Sequence, residues 1–276
     1  MKEDFQTLKK FYLQAAAEIS KDSFFYESLN HKFCHSVAVL QAGRNIMAKT
    51  PELSDIDAEF ITLAERALLF HDVGRFQEAV YRFQAQKQNK PVEASSNQFD
   101  HGAIGYDLLN NTPPYNDLRI LLAIKYHGKM MEEIRASDLW LQTEQHPHGK
   151  AAREILYLVR DADKLANLQV IKDKNHLQHD IFFKQLSDEA LHAPISAAVW
   201  QQFLAHQTVL FTNVYSFADR ILMVLSWIFD LNYQYSKKAF IAEGYAKYLI
   251  NELAKYHTND DDLNQIPLIV SSVFIK

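Results

Sequence analysis

The chain contains one cysteine, Cys34, which excludes an internal disulfide and fits a reducing compartment. Glycine and proline number 7 each in 276 residues, few for a turn-rich β fold. No run as long as the roughly 20 residues of a membrane-spanning helix is predominantly apolar, and no long apolar stretch follows Met1. A cytoplasmic protein without membrane attachment is expected. Positive charge is also short: 29 Lys and Arg stand against 34 Asp and Glu, a net charge of −5. That balance argues against stable nucleic-acid binding but allows a small anion held by a few basic groups. There is no P-loop, dinucleotide-binding glycine pattern or serine nucleophile elbow, so those chemistries are set aside.

What is present is helix-forming. At 48% hydrophobic the chain can bury a sizeable core, and long stretches are rich in Ala, Leu, Gln, Lys and Glu. Apolar spacing predicts helices over about 4–20, 31–48, 54–72, 97–110, 115–127 and 150–172, and a short one near 77–84. Ser54, with Asp57 three positions on, reads as the start of the third. Gln86 to Asn97 reads as a polar loop, and 136–149 is less regular. Further helices are expected near 176–190, 196–210, 215–230 and 237–256. His257 to Leu263 is acidic and expected to be loose, while Pro267 to Phe274 is apolar enough to leave a strand open. No repeat and no linker is visible. The expectation is a single all-α domain, 1–276, with a core over about 30–170 and C-terminal helices over about 175–256 packed on it. The C-terminal aromatics Phe217, Trp227, Phe229, Tyr233 and Tyr235 read as core.

The informative stretch is Ala67-Leu68-Leu69-Phe70-His71-Asp72-Val73-Gly74-Arg75, where an apolar helix delivers a histidine and a carboxylate and a glycine follows. A His-Asp pair alone is weak evidence, and His179-Asp180, in a polar segment, reads as a decoy. His71 has company, however. His35, His101 and His127 each fall on the apolar side of their own predicted helix. In the helix over 150–172, Asp163 falls within the stripe of Ile155, Val159, Ala162 and Ala166, whereas Asp161 points to the opposite side. Any one buried histidine is most simply explained by a backbone hydrogen bond. Imidazoles and a carboxylate converging from several helices are how bundles build metal sites. His31, one turn before His35, is a possible alternative ligand. Cys34 reads as core. Asp100 either orients a ligand or caps the helix of His101.

The order His35, His71-Asp72, His101, His127, Asp163 resembles the HD-domain superfamily of metal-dependent phosphohydrolases, whose pattern is H…HD…D. With two further histidines between, it is similar to the two-metal branch that includes HD-GYP phosphodiesterases and myo-inositol-oxygenase-like enzymes. Ala162-Asp163-Lys164-Leu165 looks like the family's final segment. Trp227-Ile228-Phe229-Asp230-Leu231-Asn232 resembles a stretch of a group of single-domain bacterial HD proteins. The resemblance implies an all-α bundle of the HD-domain type with an additional C-terminal helical region. It implies one ion held by His35, His71, Asp72 and Asp163, and a second by His101 and His127 with Asp72 bridging. Mixed N/O ligation without thiolate suits Mn, Fe, Co, Ni, Zn or Mg, as one ion or two. No Gly-Tyr-Pro follows His127, where Gly128 stands, so cyclic dinucleotide cleavage does not carry over. The implied activity is hydrolysis of a nucleotide or other small phosphate ester. Asp72, Lys164 and Arg75 are the catalytic candidates, and Lys164, Arg75 and Lys129 could contact phosphate or serve as surface charges, with Lys125 a weaker candidate. A di-iron oxygenase on the same ligands and a non-catalytic nucleotide-binding regulatory module are the alternatives.

Overall fold

A computed structural model describes residues 1–21, 23–54, 56–89, 100–174, 186–257 and 259–274. The fold is all-α, and no strand occurs among the described residues. The chain sorts into two compact units, Met1–Ala166 and Asn167–Lys276. The sequence shows no linker between them because the division falls inside a continuous helix.

The first unit opens with α1 (Lys2–Glu18) and α2 (Phe24–Lys49), followed by α3 (Ala58–Phe70) and α4 (Gly74–Lys87). Ser23 starts α2 seven residues before the expected point, its hydroxyl accepting the Tyr26 N–H. Ser54 does not start α3. Pro51–Leu53 form a 3-10 turn, and Asp57 caps the helix by accepting the Phe60 N–H at 2.7 Å. Next come α5 (His101–Asn110), α6 (Leu118–Tyr126), two short helices α7 (Met131–Arg135) and α8 (Asp138–Gln145), and α9 (Gly149–Lys174).

Helices α3 and α6 pack against each other, and their last turns are enclosed on every side. Leu68, Leu69, Phe70, Leu122, Ala123 and Ile124 are all fully buried. Burial at about 25 cal/mol per Å² of apolar surface anchors these turns in the core of the unit, and each ends on a candidate ligand, His71 or His127.

In the second unit, α10 (Asp188–His192), α11 (Ala197–Leu204) and α12 (Phe217–Ser226) precede α13 (Gln234–Ala242), α14 (Tyr245–Leu253) and α15 (Asp260–Ser271). All ten residues of α12 are buried, and α10, α11 and α14 pack on it. Buried Asp219 is a structural acid there. It closes a capping box with Ser216 and accepts from the backbone of Ser196 and Tyr215.

Several expectations are corrected. The helix expected over 237–256 is two helices, broken at Gly244, whose φ of +78° is the left-handed conformation glycine tolerates. Within the stretch from His257 to Leu263, expected to be loose, Asn259 caps α15, and His257, itself buried, pairs with Asp262 at 2.9 Å. Pro267 lies inside that helix rather than in a strand. Of the C-terminal aromatics, Phe217 and Tyr233 are buried, while Trp227, Phe229 and Tyr235 are only partly so. The His179-Asp180 pair and most of the helix expected over 176–190 lie outside the described residues.

Candidate metal centre

The six side chains predicted as ligands meet in the first unit, carried by α2, α3, α5, α6, α9 and the turn after α3. The ligand atoms of His35, His71 and Asp163 lie within 4.8 Å of one another, and so do those of His71, Asp72 and His127. His101 joins through its Nε2, 3.2 Å from His127 Nε2 and 3.5 Å from Asp72 Oδ1.

His71 and His127 occupy equivalent places. Each is the C-cap of its helix, and each Nδ1 faces the carbonyl three residues back, at 2.9 Å from Leu68 O and 3.0 Å from Ile124 O. Helix ends leave such carbonyls without intrahelical partners. Donation through Nδ1 leaves the Nε2 of a neutral imidazole with its lone pair directed into the cluster. Nε2 of His71 is buried without a hydrogen-bond partner, 3.6 Å from both Asp72 Oδ2 and Asp163 Oδ1. A buried nitrogen facing two carboxylates, with no proton to share well, is the arrangement a cation completes.

Asp72 divides the cluster. Its Oδ1 faces His101 at 3.5 Å and His127 at 3.4 Å, while Oδ2 faces His71 at 3.6 Å and His35 at 4.0 Å. Burial opposes charge on this carboxyl, but Lys32, His71, His127 and Arg75 hold it well below the ordinary carboxylate range. Asp163 behaves likewise: burial is outweighed by His35, at 2.8 Å, and by His71. His101 is pushed well below its usual value by burial and by Arg75, and His35 is lowered by burial and Lys32. His71 moves the other way. Burial is outweighed by Asp72, Asp163 and the Leu68 carbonyl, so positive charge is favoured at this point. Neutral imidazoles and ionised carboxylates are the protonation states that metal ligation needs.

Missing Cβ atoms set the spacing. A Cβ on Gly74 would lie 2.0 Å from His101 O, and one on Gly102 would lie 2.4 Å from Lys125 O. Glycine therefore lets the start of α4 touch α5, and α5 touch α6, which brings His101 up to Asp72 and His127.

Two residues that the apolar stripes passed over support the centre. Lys32 is buried, with its Nζ 3.0 Å from Asp72 Oδ2. Arg160 is fully buried and donates from one guanidinium nitrogen to the carbonyls of His127 at 2.9 Å and Lys129 at 2.5 Å, fixing the turn beyond His127. Each precedes a predicted ligand by three residues, Lys32 before His35 and Arg160 before Asp163. That helical spacing was the available signal.

The basic candidates are spread more widely. Arg75 Nε stands 3.6 Å from Asp72 Oδ1, and its terminal nitrogen pairs with buried Glu78 at 2.7 Å, which also holds Arg82. Lys129 pairs with Asp100 at 3.0 Å and Glu133 at 3.3 Å. Asp100 caps α5, accepting from Gly102 and Ala103 N–H. Lys164 turns back along α9 toward Arg160 O at 3.5 Å. His31 is outside both ligand groups, its ring stacked 6.4 Å from that of His35. Cys34 is exposed rather than core. Asp161, expected to point outward, is fully buried, while Asp163 retains 22% side-chain exposure. Helix α9 is enclosed on more than one side, so its apolar stripe underestimates what it buries.

An all-α unit that draws histidines and carboxylates together from five helices is a bundle whose side chains could hold a metal ion. Residues 33–168 match the family model of the HD domain, and this segment belongs to the HD-domain superfamily. Members of that family are generally metal-dependent hydrolases. No curated protein and no solved structure matches the chain at a significant level. No helix among the described residues is long and apolar enough to cross a membrane.

Proposed function

We propose that the chain is a metal-dependent phosphohydrolase acting on a nucleotide or other small phosphate ester, monoester or diester. The observation that carries this reading is the division of Asp72, with one carboxylate oxygen toward each half of a six-ligand His/Asp cluster. His35, His71, Asp72 and Asp163 would hold one divalent ion, and His101 and His127 a second, with Asp72 shared. Such ions, when bound, supply Lewis acidity toward a phosphoryl oxygen and make water a competent nucleophile near neutral pH.

The chain's own residues do the rest. Asp72 and Asp163 stay ionised and balance the cationic charge. Arg75, steadied by Glu78, sits beside Asp72 where it would neutralise a non-bridging phosphate oxygen. Lys164, next to Asp163, and Lys129, beyond His127, would add charge for an anionic substrate.

Purified protein is expected to contain roughly one or two transition-metal ions per chain and to hydrolyse p-nitrophenyl phosphate, bis-p-nitrophenyl phosphate or members of a nucleotide panel. Combined His71→Ala and Asp72→Ala should remove both metal and activity. Metal content and turnover that survive this change would sink the proposal. Dioxygen consumption in place of hydrolysis would assign the same ligands to an oxygenase, and tight nucleotide retention without turnover would assign a regulatory module.

A further inference from the structure

We propose that Lys32 is a built-in cation of this centre, competing with a divalent ion for Oδ2 of Asp72 and so setting how tightly the ion is held. The inference rests on reading the cluster as a metal centre, and it concerns a residue which that reading leaves unused.

A lysine only 8% exposed is uncommon unless its charge is met by a partner. Here the partner is Asp72. Nζ of Lys32 lies 3.0 Å from Oδ2. That oxygen is also the one 3.6 Å from His71 Nε2 and 4.0 Å from His35 Nε2, on the side of the group completed by Asp163. The ammonium and an ion held by His35, His71 and Asp163 would therefore draw on the same oxygen and repel each other across it. Arg75 cannot substitute, because its nearest approach to Asp72 is to Oδ1, at 3.6 Å. Lys32 thus offsets the buried charge of Asp72 in metal-free protein. The same contact must weaken when an ion enters, which lowers affinity and makes the ion exchangeable.

A residue that merely supported the ligands would have the opposite effect on binding. The sign of the change is the test. Chelator-stripped wild type, Lys32→Met and Lys32→Arg would each be titrated calorimetrically with Mn²⁺, Co²⁺, Ni²⁺ and Zn²⁺, with circular dichroism confirming the fold. Lys32→Met should bind the ion preferred by wild type about tenfold more tightly or better, since a nearby like charge has been removed. Lys32→Arg should stay near wild type. Unchanged or weaker binding by Lys32→Met overturns the inference.

Removing the lysine also leaves Asp72 as a buried anion with one fewer partner. Lys32→Met should accordingly melt below wild type in chelator and gain more in melting temperature on adding the ion. A variant that stays unfolded even with the ion would show Lys32 to be structural and would equally overturn the inference. Wild type that binds none of the ions would remove the metal-centre reading together with this one. Wild type that binds, beside Lys32→Met that binds no better, would remove this one alone.

Discussion

His71 and His127 are the same device built twice, each capping a buried helix and presenting Nδ1 to the carbonyl three residues back, Leu68 O and Ile124 O. They differ in reach. His71 belongs to both ligand groups, whereas His127 belongs to one. His71→Ala should remove the ion of His35, His71 and Asp163 and weaken the second, whereas His127→Ala should leave that first ion in place. Metal analysis by mass spectrometry checks this. Equal loss in the two variants would show the groups to be a single site.

Arg160 acts on the centre without joining it. Replacement by methionine leaves the buried carbonyl of His127 without its donor, at a cost of about 1–3 kcal/mol, and removes the donor from the partly buried carbonyl of Lys129. The turn that carries His127 should loosen. Expected outcomes are a clear fall in denaturant midpoint and reduced occupancy by the ion of His101 and His127, with occupancy at His35, His71 and Asp163 retained. Arg160→Lys, which keeps the charge but reaches less far than the guanidinium, should recover only part of the loss.

Two glycines near the centre separate packing from chemistry. Gly74→Ala forces a Cβ to 2.0 Å from His101 O, a backbone atom that cannot swing aside. Destabilisation of at least ~1–3 kcal/mol is expected. A Cβ on exposed Gly128 meets only the His101 ring, at 3.7 Å, an ordinary contact. Gly128→Ala should keep wild-type stability. Thermal melts of the two variants decide the point.

The helices and ligands were legible in the sequence because both report through apolar periodicity. His35, His101 and His127 stand out as polar residues on stripes that burial alone would fill with Leu or Ile. Lys32 and Arg160 were invisible to that rule, since a charged residue off the stripe reads as surface. Their burial is decided by an oppositely charged or carbonyl-bearing partner in a turn that follows another helix. Asp161 and Cys34 show the same limit from both directions. One lies on the face expected to be solvated and is buried, and the other was expected inside and is exposed. A single wheel knows one face of a helix, and the tertiary fold supplies the others.

Away from the centre, Asp4 gives a pH test. It is buried, and burial opposes its charge. Bonds from the N-terminal ammonium and Tyr115 and the nearby Arg66 nonetheless hold its carboxyl below the ordinary value. A folded-state pKa below the unfolded one stabilises fully above the unfolded pKa, near 3.9, and that contribution is lost as pH falls through the folded value. Asp4→Asn should therefore lower unfolding free energy by about 1–3 kcal/mol at pH 7. The gap from wild type should close progressively below the carboxylate range. A gap that does not vary with pH would assign Asp4 a purely steric role.

The contact between the start of α4 and the backbone of α5 has a consequence for what this scaffold can become. His101 stands off Asp72 by a distance that two main chains, pressed together at Gly74, dictate. Side chains elsewhere in the centre do not set that gap. Any redesign of the centre would have to work on the side chains of Arg75 and Lys129, where reach and charge are adjustable, and leave the close glycine contact untouched.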